Sequence, residues 1–324
     1  MAELRRAVLT GVGTYLPERV VSNDEMAQRV ETSDAWITAR SGIRQRHFAG
    51  PHESAAFMGA AAARGALEMA GVAGAAVGAI ILATSTPDQS FPATAVHVQA
   101  ALGAMNAFAF DLAAACSGFI YALSVADGMI RAGQVENVLV IGSEVYSRIL
   151  NFADRGTCVL FGDGAGAVLL QARAVAADGP GILSTHLHAD GTQAEILYVD
   201  GAVGQPDRPG HLVMNGREVF RQAVSLLAGA VSEALAANGL RAEDIDWLLP
   251  HQANRRIIEG VGRKIGIPPE RVVVTLERHA NTSAASIPLA LGQAVGDGRI
   301  KPGQLVLLEA LGGGLTWGSA LVRM

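Results

Sequence analysis

Two thiols, Cys116 and Cys158, stand in very different company along the chain. Cys116 lies in DLAAACSGFIYAL, where a strand-like run, FAFDLA, ends and a long apolar helix begins. A thiol at such a junction faces unpaired backbone N–H groups and the positive end of a helix dipole. Both favour the thiolate, the nucleophilic form, and lower its ordinary pKa of about 8.5 by one or more units. The plainer alternative is a small buried hydrophobe, the common fate of a free cysteine. Cys158 sits inside the strand-like TCVLFGDGAGAVLL and is expected to be core. His251, in WLLPHQANRRIIEGVGRKIG, falls between a strand and a helix with Pro250 fixing the turn, at the kind of sheet edge where open α/β folds bind ligands. His279 and Asn281, in RHANTSAASIPLALG, occupy another strand-to-helix junction, where an Asn also reads as a simple N-cap and His279 as a turn residue. In EALGGGLTWGSALVRM three glycines lie between two strands, forming either a tight hairpin or a loop that brings a bare N–H against a reacting oxygen. Together a thiol, an imidazole and a carboxamide suit nucleophilic catalysis.

Those residues need a frame. AIILATS (79–85), FAFDLA and NVLVIGSE read as buried strands, with AAAARGALEMAG, ATAVHVQAALG and SGFIYALSVADGMIRAG as helices between them. Val8–Gly11 reads as a first strand, Ser22-x-x-Glu25 as a capping box, and Thr32-Ser33-Asp34 as the start of a short helix. Alternating buried strands and helices argue for an α/β fold whose sheet is covered on both faces. The chain has 324 residues, 50% of them hydrophobic and 17% charged, ample for one large core or two fused ones. The Pro/Gly-rich stretch GAVGQPDRPG (201–210) reads as a surface loop.

The second half echoes the first. An offset of 165 lays Asn281 on Cys116, Glu309 on Glu144 and His251 on Thr86. Duplicated halves, 1–174 and 175–324, would bring Cys116 from one to face His251 and Asn281 from the other, across the kind of boundary where clefts form.

Several classes are disfavoured. A net charge of −5 gives no broad grip on nucleic acid. No stretch of 18 uninterrupted apolar residues occurs, and the N-terminus lacks a secretory signal, so a cytoplasmic protein with no membrane partner is expected. Neither GDGAGA nor GGG has the strand-turn-helix setting of a dinucleotide fingerprint, no Walker A sequence occurs, and His186-x-His188 lacks nearby companions for a metal. No cofactor and no metal are expected. A papain-type Cys-His-Asn hydrolase shares the chain order and a Cys-to-His spacing of 135, but its C-G-S-C-W type signature and disulfides are missing.

DAWITARSGIRQRH, AACSGFIYAL, DRGTCVLFGDGAGA, PHQANRRI, RHANTSAASIPLAL and EALGGGLTWGSALV together resemble β-ketoacyl-acyl carrier protein synthase III, the initiating condensing enzyme of type II fatty acid synthesis, from about residue 5 to 324. The resemblance implies a thiolase-like duplicated fold in five α-β-α-β-α layers, and a homodimer. It implies that Cys116 takes an acyl group, usually acetyl, from coenzyme A, and that His251 and Asn281 assist decarboxylation of malonyl-acyl carrier protein. The backbone N–H groups of Cys116 and Gly313 become the oxyanion hole. Trp36, Arg40 and Arg155 match the grip on the adenine end of coenzyme A, and Thr32, Gly216 and Asn254 the pantetheine tunnel. Phe91 matches an acyl-pocket residue supplied by the partner subunit, where a bulky ring favours short primers. Arg221, Arg256, Arg263 and Lys264 resemble the patch that attracts the acidic carrier protein. Leu311 stands where members often carry an aromatic residue. A specialised ketosynthase III homologue of quinolone or polyketide priming would share the same catalytic set.

Overall fold

The computed structural model describes residues 4–201 and 207–324; the expected loop at 201–210 lies partly outside the described residues. Two sheets organise the chain. The first comprises β1 (Leu4–Tyr15), β4 (Ala79–Ala83), β5 (Phe108–Leu112), β6 (Asn137–Val145) and β7 (Asp163–Val175), in the order β1-β7-β6-β4-β5. The second comprises β8 (Gly181–Ala189), β11 (Trp247–Pro250), β12 (Leu305–Gly312) and β13 (Thr316–Arg323), in the order β11-β12-β13-β8. Strand directions correspond. β4 is parallel to β5 and β6, and β11 is parallel to β12 and to a bridge at Val272. The remaining pairs, β6–β7, β7–β1, β12–β13 and β13–β8, are antiparallel.

Helices α5 (Gly118–Arg131) and α9 (Ser286–Gly296) lie between the sheets, where Phe119, Ile120, Leu123, Ile287 and Leu291 share one core with residues of both. Helices α3 (Ala55–Ala70) and α4 (Thr94–Leu102) cover the outside of the first sheet, and α6 (Gly216–Ala237) and α7 (Arg255–Ile265) the outside of the second. The result is the five-layered thiolase-like arrangement. The strands read as continuous apolar runs because both faces are covered: in β4, Ile81 faces the middle layer while Ile80 and Leu82 face α3 and α4.

Small residues set how closely the layers approach. A Cβ on Gly11 or Gly13 would stand 2.0 Å from the carbonyl oxygen of Ala66 or Ala62, which accounts for the alanine-rich α3. The glycines of GDGAGA serve the same end, since a Cβ on Gly166 would stand 2.7 Å from Pro288 of α9. α6 is long and apolar enough to cross a membrane by length and composition alone; here it packs on the second sheet through Ala223, Leu227 and Val231, and it carries Arg217, Arg221 and Glu233.

Shorter elements roof the space above the sheet ends. They are β2 (Val20–Ser22) with β3 (Gln45–His47), β9 (Leu197–Val199) with β10 (Leu212–Met214), α1 (Asn23–Ala27), α2 (Asp34–Ser41) and α8 (Leu276–His279). Ser22 accepts from the Glu25 N–H and Ser33 from the Trp36 N–H, but the expected capping box is only half formed, because the Glu25 carboxylate turns to Arg19 and Arg29. Each such cap is worth about 1 kcal/mol. Fully buried Arg46 pins this roof through Asn23 Oδ1 (2.8 Å) and the Val159 carbonyl (2.7 Å).

Two expectations are corrected. Cys158 is buried as foreseen but lies in a turn before β7, not in a strand. The helices after the two equivalent junctions begin at Gly118 and Ser286, so the counterpart of Cys116 in the second half is Ala284; Asn281 stands three residues earlier.

Candidate active site

Each of the three chemical side chains reaches one cavity from a different element. Cys116 occupies a single 3-10 turn, Ala115–Ser117, between β5 and α5. His251 follows β11 directly, its N–H bonded to the Glu309 carbonyl of β12 (2.7 Å). Asn281 is held by a bridge to Phe161, with Asn281 N–H on the Leu160 carbonyl and Gly162 N–H on the Asn281 carbonyl, both 3.0 Å. All three line a cavity of about 760 Å³ and are 4%, 5% and 6% exposed. Ala115, Ala280 and Ser283 have φ of 44°, 57° and 50°, the left-handed region, and they flank Cys116 and Asn281. Strain of this kind, on the order of 1–3 kcal/mol per residue, persists where surrounding structure enforces it.

Hydrogen bonding orients the two polar groups. Asn281 Oδ1 accepts from the Ser283 N–H (2.9 Å), which leaves the Nδ2 amide as its free, donating end. Asn281 is therefore no N-cap; α9 opens at Ala285 without a side-chain cap. His251 Nδ1 lies 2.6 Å from Ser286 Oγ, and that oxygen also accepts from the Gln252 N–H (3.4 Å). No other acceptor for the buried Ser286 hydroxyl proton occurs among the described residues, so that proton points to Nδ1, and the network assigns the other ring nitrogen, Nε2, as N–H. Gln252, fully buried, spends its whole amide on Pro250, Val273, Thr275 and Leu276, tying the His251 turn to the segment that leads to Asn281.

Burial sets the charge states. It lowers the His251 pKa to about 3, so the ring is neutral over the whole physiological range. It pushes the Cys116 thiol up to about 12, against the expected lowering, because loss of water outweighs the hydrogen bonds that favour the thiolate. The resting pair is thiol and imidazole, not thiolate and imidazolium.

The glycine loop is more than a hairpin. A Cβ on Gly312 would stand 2.7 Å from the Cys116 nitrogen, while Gly313 and Gly314 line the cavity beside Cys116 together with Leu311. Leu311 also packs with Leu227 and Ile257 of the outer helices. Thr316 Oγ1 joins Ser117 Oγ (2.8 Å) and the Ala114 carbonyl (3.1 Å), fixing β13 to the Cys116 turn.

At the other end, Trp36 is stacked against Arg40 (4.4 Å from guanidinium carbon to ring centroid) and Arg155 (5.1 Å), and Arg155 also reaches the Glu31 carbonyl (3.0 Å). Trp36, Arg40, Gly216 and Asn254 line the cavity; Thr32 and Arg155 stand outside its lining, Thr32 with its hydroxyl buried and unpartnered. Asn254 caps α7 through the Arg256 N–H (2.9 Å) and donates to the Arg40 carbonyl (3.1 Å), so it joins α2 to α7. Arg221, Arg256, Arg263 and Lys264 are exposed on α6 and α7. Arg221 is partly neutralised by Glu218 (2.6 Å) and Arg263 by Glu259 (3.8 Å), Lys264 reaches Ser225 Oγ (3.2 Å), and Arg256 donates to the Ala39 carbonyl (3.1 Å) and meets no carboxylate among the described residues. Phe91 is 84% exposed and does not enter this chain's own cavity. His279 is buried, its pKa lowered to about 4, and lies outside the cavity lining. His186 and His188 both meet Glu233 (3.3 and 2.6 Å), and no group of three or more His, Cys, Asp or Glu suited to a metal occurs among the described residues.

Sequence reasoning missed Ser286, Gln252 and Ser283. All three lie inside the segments PHQAN and NTSAAS, whose spacing alone does not reveal which side chain turns inward.

Comparison with known proteins agrees with this geometry. Residues 110–191 match the family 3-oxoacyl-[acyl-carrier-protein] synthase III, and residues 235–324 match its C-terminal family. The β-ketoacyl-[acyl-carrier-protein] synthase III of Acidiphilium cryptum is 68% identical, covering 99% of this chain and 100% of the relative. The crystal structure of 3-oxoacyl-[acyl-carrier-protein] synthase III from Aquifex aeolicus superposes with a TM-score of 0.93 at 45% identity, covering 98% of this chain and 100% of that one. The priming β-ketosynthase of the R1128 polyketide pathway superposes with a TM-score of 0.94, at 38% identity, covering 100% of this chain and 98% of that one. By sequence along almost its whole length, and by fold, the chain belongs to the β-ketoacyl-[acyl carrier protein] synthase III family.

Proposed function

We propose that the protein condenses an acyl-CoA primer, acetyl-CoA foremost, with malonyl-acyl carrier protein to give β-ketoacyl-acyl carrier protein, coenzyme A and CO2, and so starts fatty acid chains. The observation that carries this reading is the pairing of two neutral donors, His251 Nε2–H and Asn281 Nδ2–H, with a buried thiol in one cavity.

Decarboxylation of a malonyl thioester places negative charge on the thioester oxygen. Two preorganised neutral donors in a dry site stabilise that charge without rearranging. Cys116 holds the primer as a thioester, and the carbanion attacks its carbonyl carbon, expelling the thiolate. The Cys116 and Gly313 N–H groups are assigned to the oxyanion of the tetrahedral intermediates; the close approach of Gly312 to Cys116 supports placing the glycine loop there. Coenzyme A thioester is a substrate, and the reading assigns no resident cofactor.

Trp36 with Arg40 and Arg155 is assigned to the adenine end of coenzyme A, with Gly216 and Asn254 along the pantetheine path and Thr32 beside it. The exposed cations of α6 and α7 are assigned to the acidic carrier protein, Arg256 foremost, because Arg221 and Arg263 already face carboxylates. The two sheets are read as halves, 1–174 and 175–324, of a duplicated unit. A homodimer in which Phe91 enters the partner's acyl pocket, working in the cytoplasm, completes the proposal; the exposure of Phe91 supports it.

A hydrolase of papain type needs a thiolate–imidazolium pair, and burial drives both groups the other way. A specialised polyketide or quinolone ketosynthase would differ in acceptor. Incubation with acetyl-CoA and malonyl-acyl carrier protein tests this: acetoacetyl-carrier protein is expected, and its absence would leave the specialised reading in possession.

A further inference from the structure

The two N–H groups assigned to the oxyanion stand far apart in the chain, Cys116 in the turn after β5 and Gly313 between β12 and β13. Such a pair works only while both donors keep their aim to within about 0.5 Å, so the glycine loop must be held to the Cys116 turn. The backbones are already in close contact. A Cβ on Gly312 would stand 2.7 Å from the Cys116 nitrogen, 2.9 Å from the Ala114 oxygen and 3.0 Å from the Ser117 nitrogen. Contact of this kind sets a distance but no direction.

Two hydroxyls supply the direction. Ser117 Oγ and Thr316 Oγ1, one from each side of the boundary, lie 2.8 Å apart. Both reach the Ala114 carbonyl, at 2.8 and 3.1 Å, and Thr316 Oγ1 also reaches the Gly313 carbonyl at 3.2 Å. Each hydroxyl has one proton to give. The Ala114 carbonyl already accepts the Ser117 N–H (3.1 Å), so the arrangement that gives both carbonyls a donor has Ser117 donating to Thr316 and Thr316 to Gly313. Ser117 occupies the N-cap position of α5 yet caps no helix N–H; its fully buried hydroxyl is turned to the glycine loop instead. The linkage falls beside backbone strain, since Ala115, at φ 44°, joins Ala114 to Cys116.

We propose that Ser117 and Thr316 are positioning residues for the oxyanion hole: they hold the strained turn that aims the Cys116 N–H and the carbonyl that restrains Gly313. The inference rests on the condensing reading above. Thr316 lines the cavity, but its proton is committed to Gly313, so it acts through the loop and not on the substrate. Negative charge gathers on the acyl oxygen twice, when the Cys116 sulfur attacks acetyl-CoA and when the carbanion attacks acetyl-Cys116. Decarboxylation places its charge on another oxygen, the one assigned to His251 and Asn281. The clamp therefore governs both acyl transfers and leaves decarboxylation alone.

The test uses the full-length protein with Thr316→Val, which keeps the side-chain shape without the hydroxyl, Thr316→Ser, which keeps the hydroxyl, and Ser117→Ala, with thermal melting as the check on folding. Single-turnover acetylation of Cys116 is followed across acetyl-CoA concentration, and decarboxylation of labelled malonyl-carrier protein is followed without primer. Thr316→Val and Ser117→Ala are expected to lower the maximal acetylation rate by about 10-fold, less than the roughly 10²–10³-fold of a deleted donor, because the N–H groups are displaced and not removed. The acetyl-CoA concentration at half-maximal rate and the decarboxylation rate should keep their wild-type values, and Thr316→Ser should restore acetylation. Wild-type acetylation in either hydroxyl-deleted variant, an equal loss in decarboxylation, or a Thr316→Ser variant as slow as Thr316→Val overturns the clamp. Should Thr316→Val fail to fold, Ser117→Ala decides alone through the same two rates. A wild-type protein that forms no acetyl-Cys116 at all would instead sink the condensing reading itself.

Discussion

At the closed end of the cavity, Cys116, His251 and Asn281 are buried and uncharged, His251 and Asn281 each turned by a neighbour's hydrogen bond. At the mouth, Arg40, Arg155 and Arg256 are exposed cations around a half-buried Trp36, leaning on backbone carbonyls and a ring. The closed end resembles an active site that stabilises charge only as it forms; the mouth resembles a surface that captures charge already present on its ligands. Substitutions at the first should therefore act on turnover, and substitutions at the second on capture.

The largest expected effect is at Asn281 and His251. Replacing either with Ala removes one donor and should slow malonyl decarboxylation by about 10²–10³-fold, with Cys116 acetylation much less affected. Half-reaction assays with labelled malonyl-carrier protein read this directly, and equal losses in both half-reactions would break the division between the two steps. The pH profile sharpens it. Because the His251 pKa is lowered, to about 3, the ring stays neutral as pH falls from 8 to 5, and decarboxylation should show no acid limb near 6.5. A decline centred near that ordinary histidine value would mean the ring is far better solvated than its burial implies.

How much of this could be read beforehand differs between the two regions. Cys116, His251 and Asn281 stand out in sequence because each interrupts an apolar strand-to-helix passage, and the fold class follows from the fully buried runs of β4, β6 and β12. Their charge states were not legible: a helix start suggests a low thiol pKa, but the α9 and β13 layers that seal the site come from residues far away in the chain. The one-letter pattern also hid that Ser286 sets the His251 tautomer and that Asn281 stands three residues before the true counterpart of Cys116. At the mouth, the cations were legible as types, whereas their pairing with Glu218 and Glu259 depends on helical geometry.

Smaller effects separate the regions further. Ser286→Ala removes a hydrogen bond worth about 1 kcal/mol, so decarboxylation should fall several-fold while binding of acyl-CoA is unchanged. Trp36→Ala should raise KM for acetyl-CoA several-fold with kcat kept, since each cation–π contact at an exposed site contributes about 0.5–1 kcal/mol. Arg256→Glu should lower kcat/KM for malonyl-carrier protein at low salt only, the difference shrinking as ionic strength rises and exposed charges are screened. A salt-independent loss would place Arg256 in a structural role at the junction of α2 and α7.

The most direct measurement is the intact mass and peptide map of the protein after brief exposure to acetyl-CoA, before and after malonyl-carrier protein is added. One acetyl group per chain, on Cys116 and discharged by malonyl-carrier protein as acetoacetyl-carrier protein, is the expected result. An unmodified chain, or acetyl found on Cys158 or another residue, would contradict it.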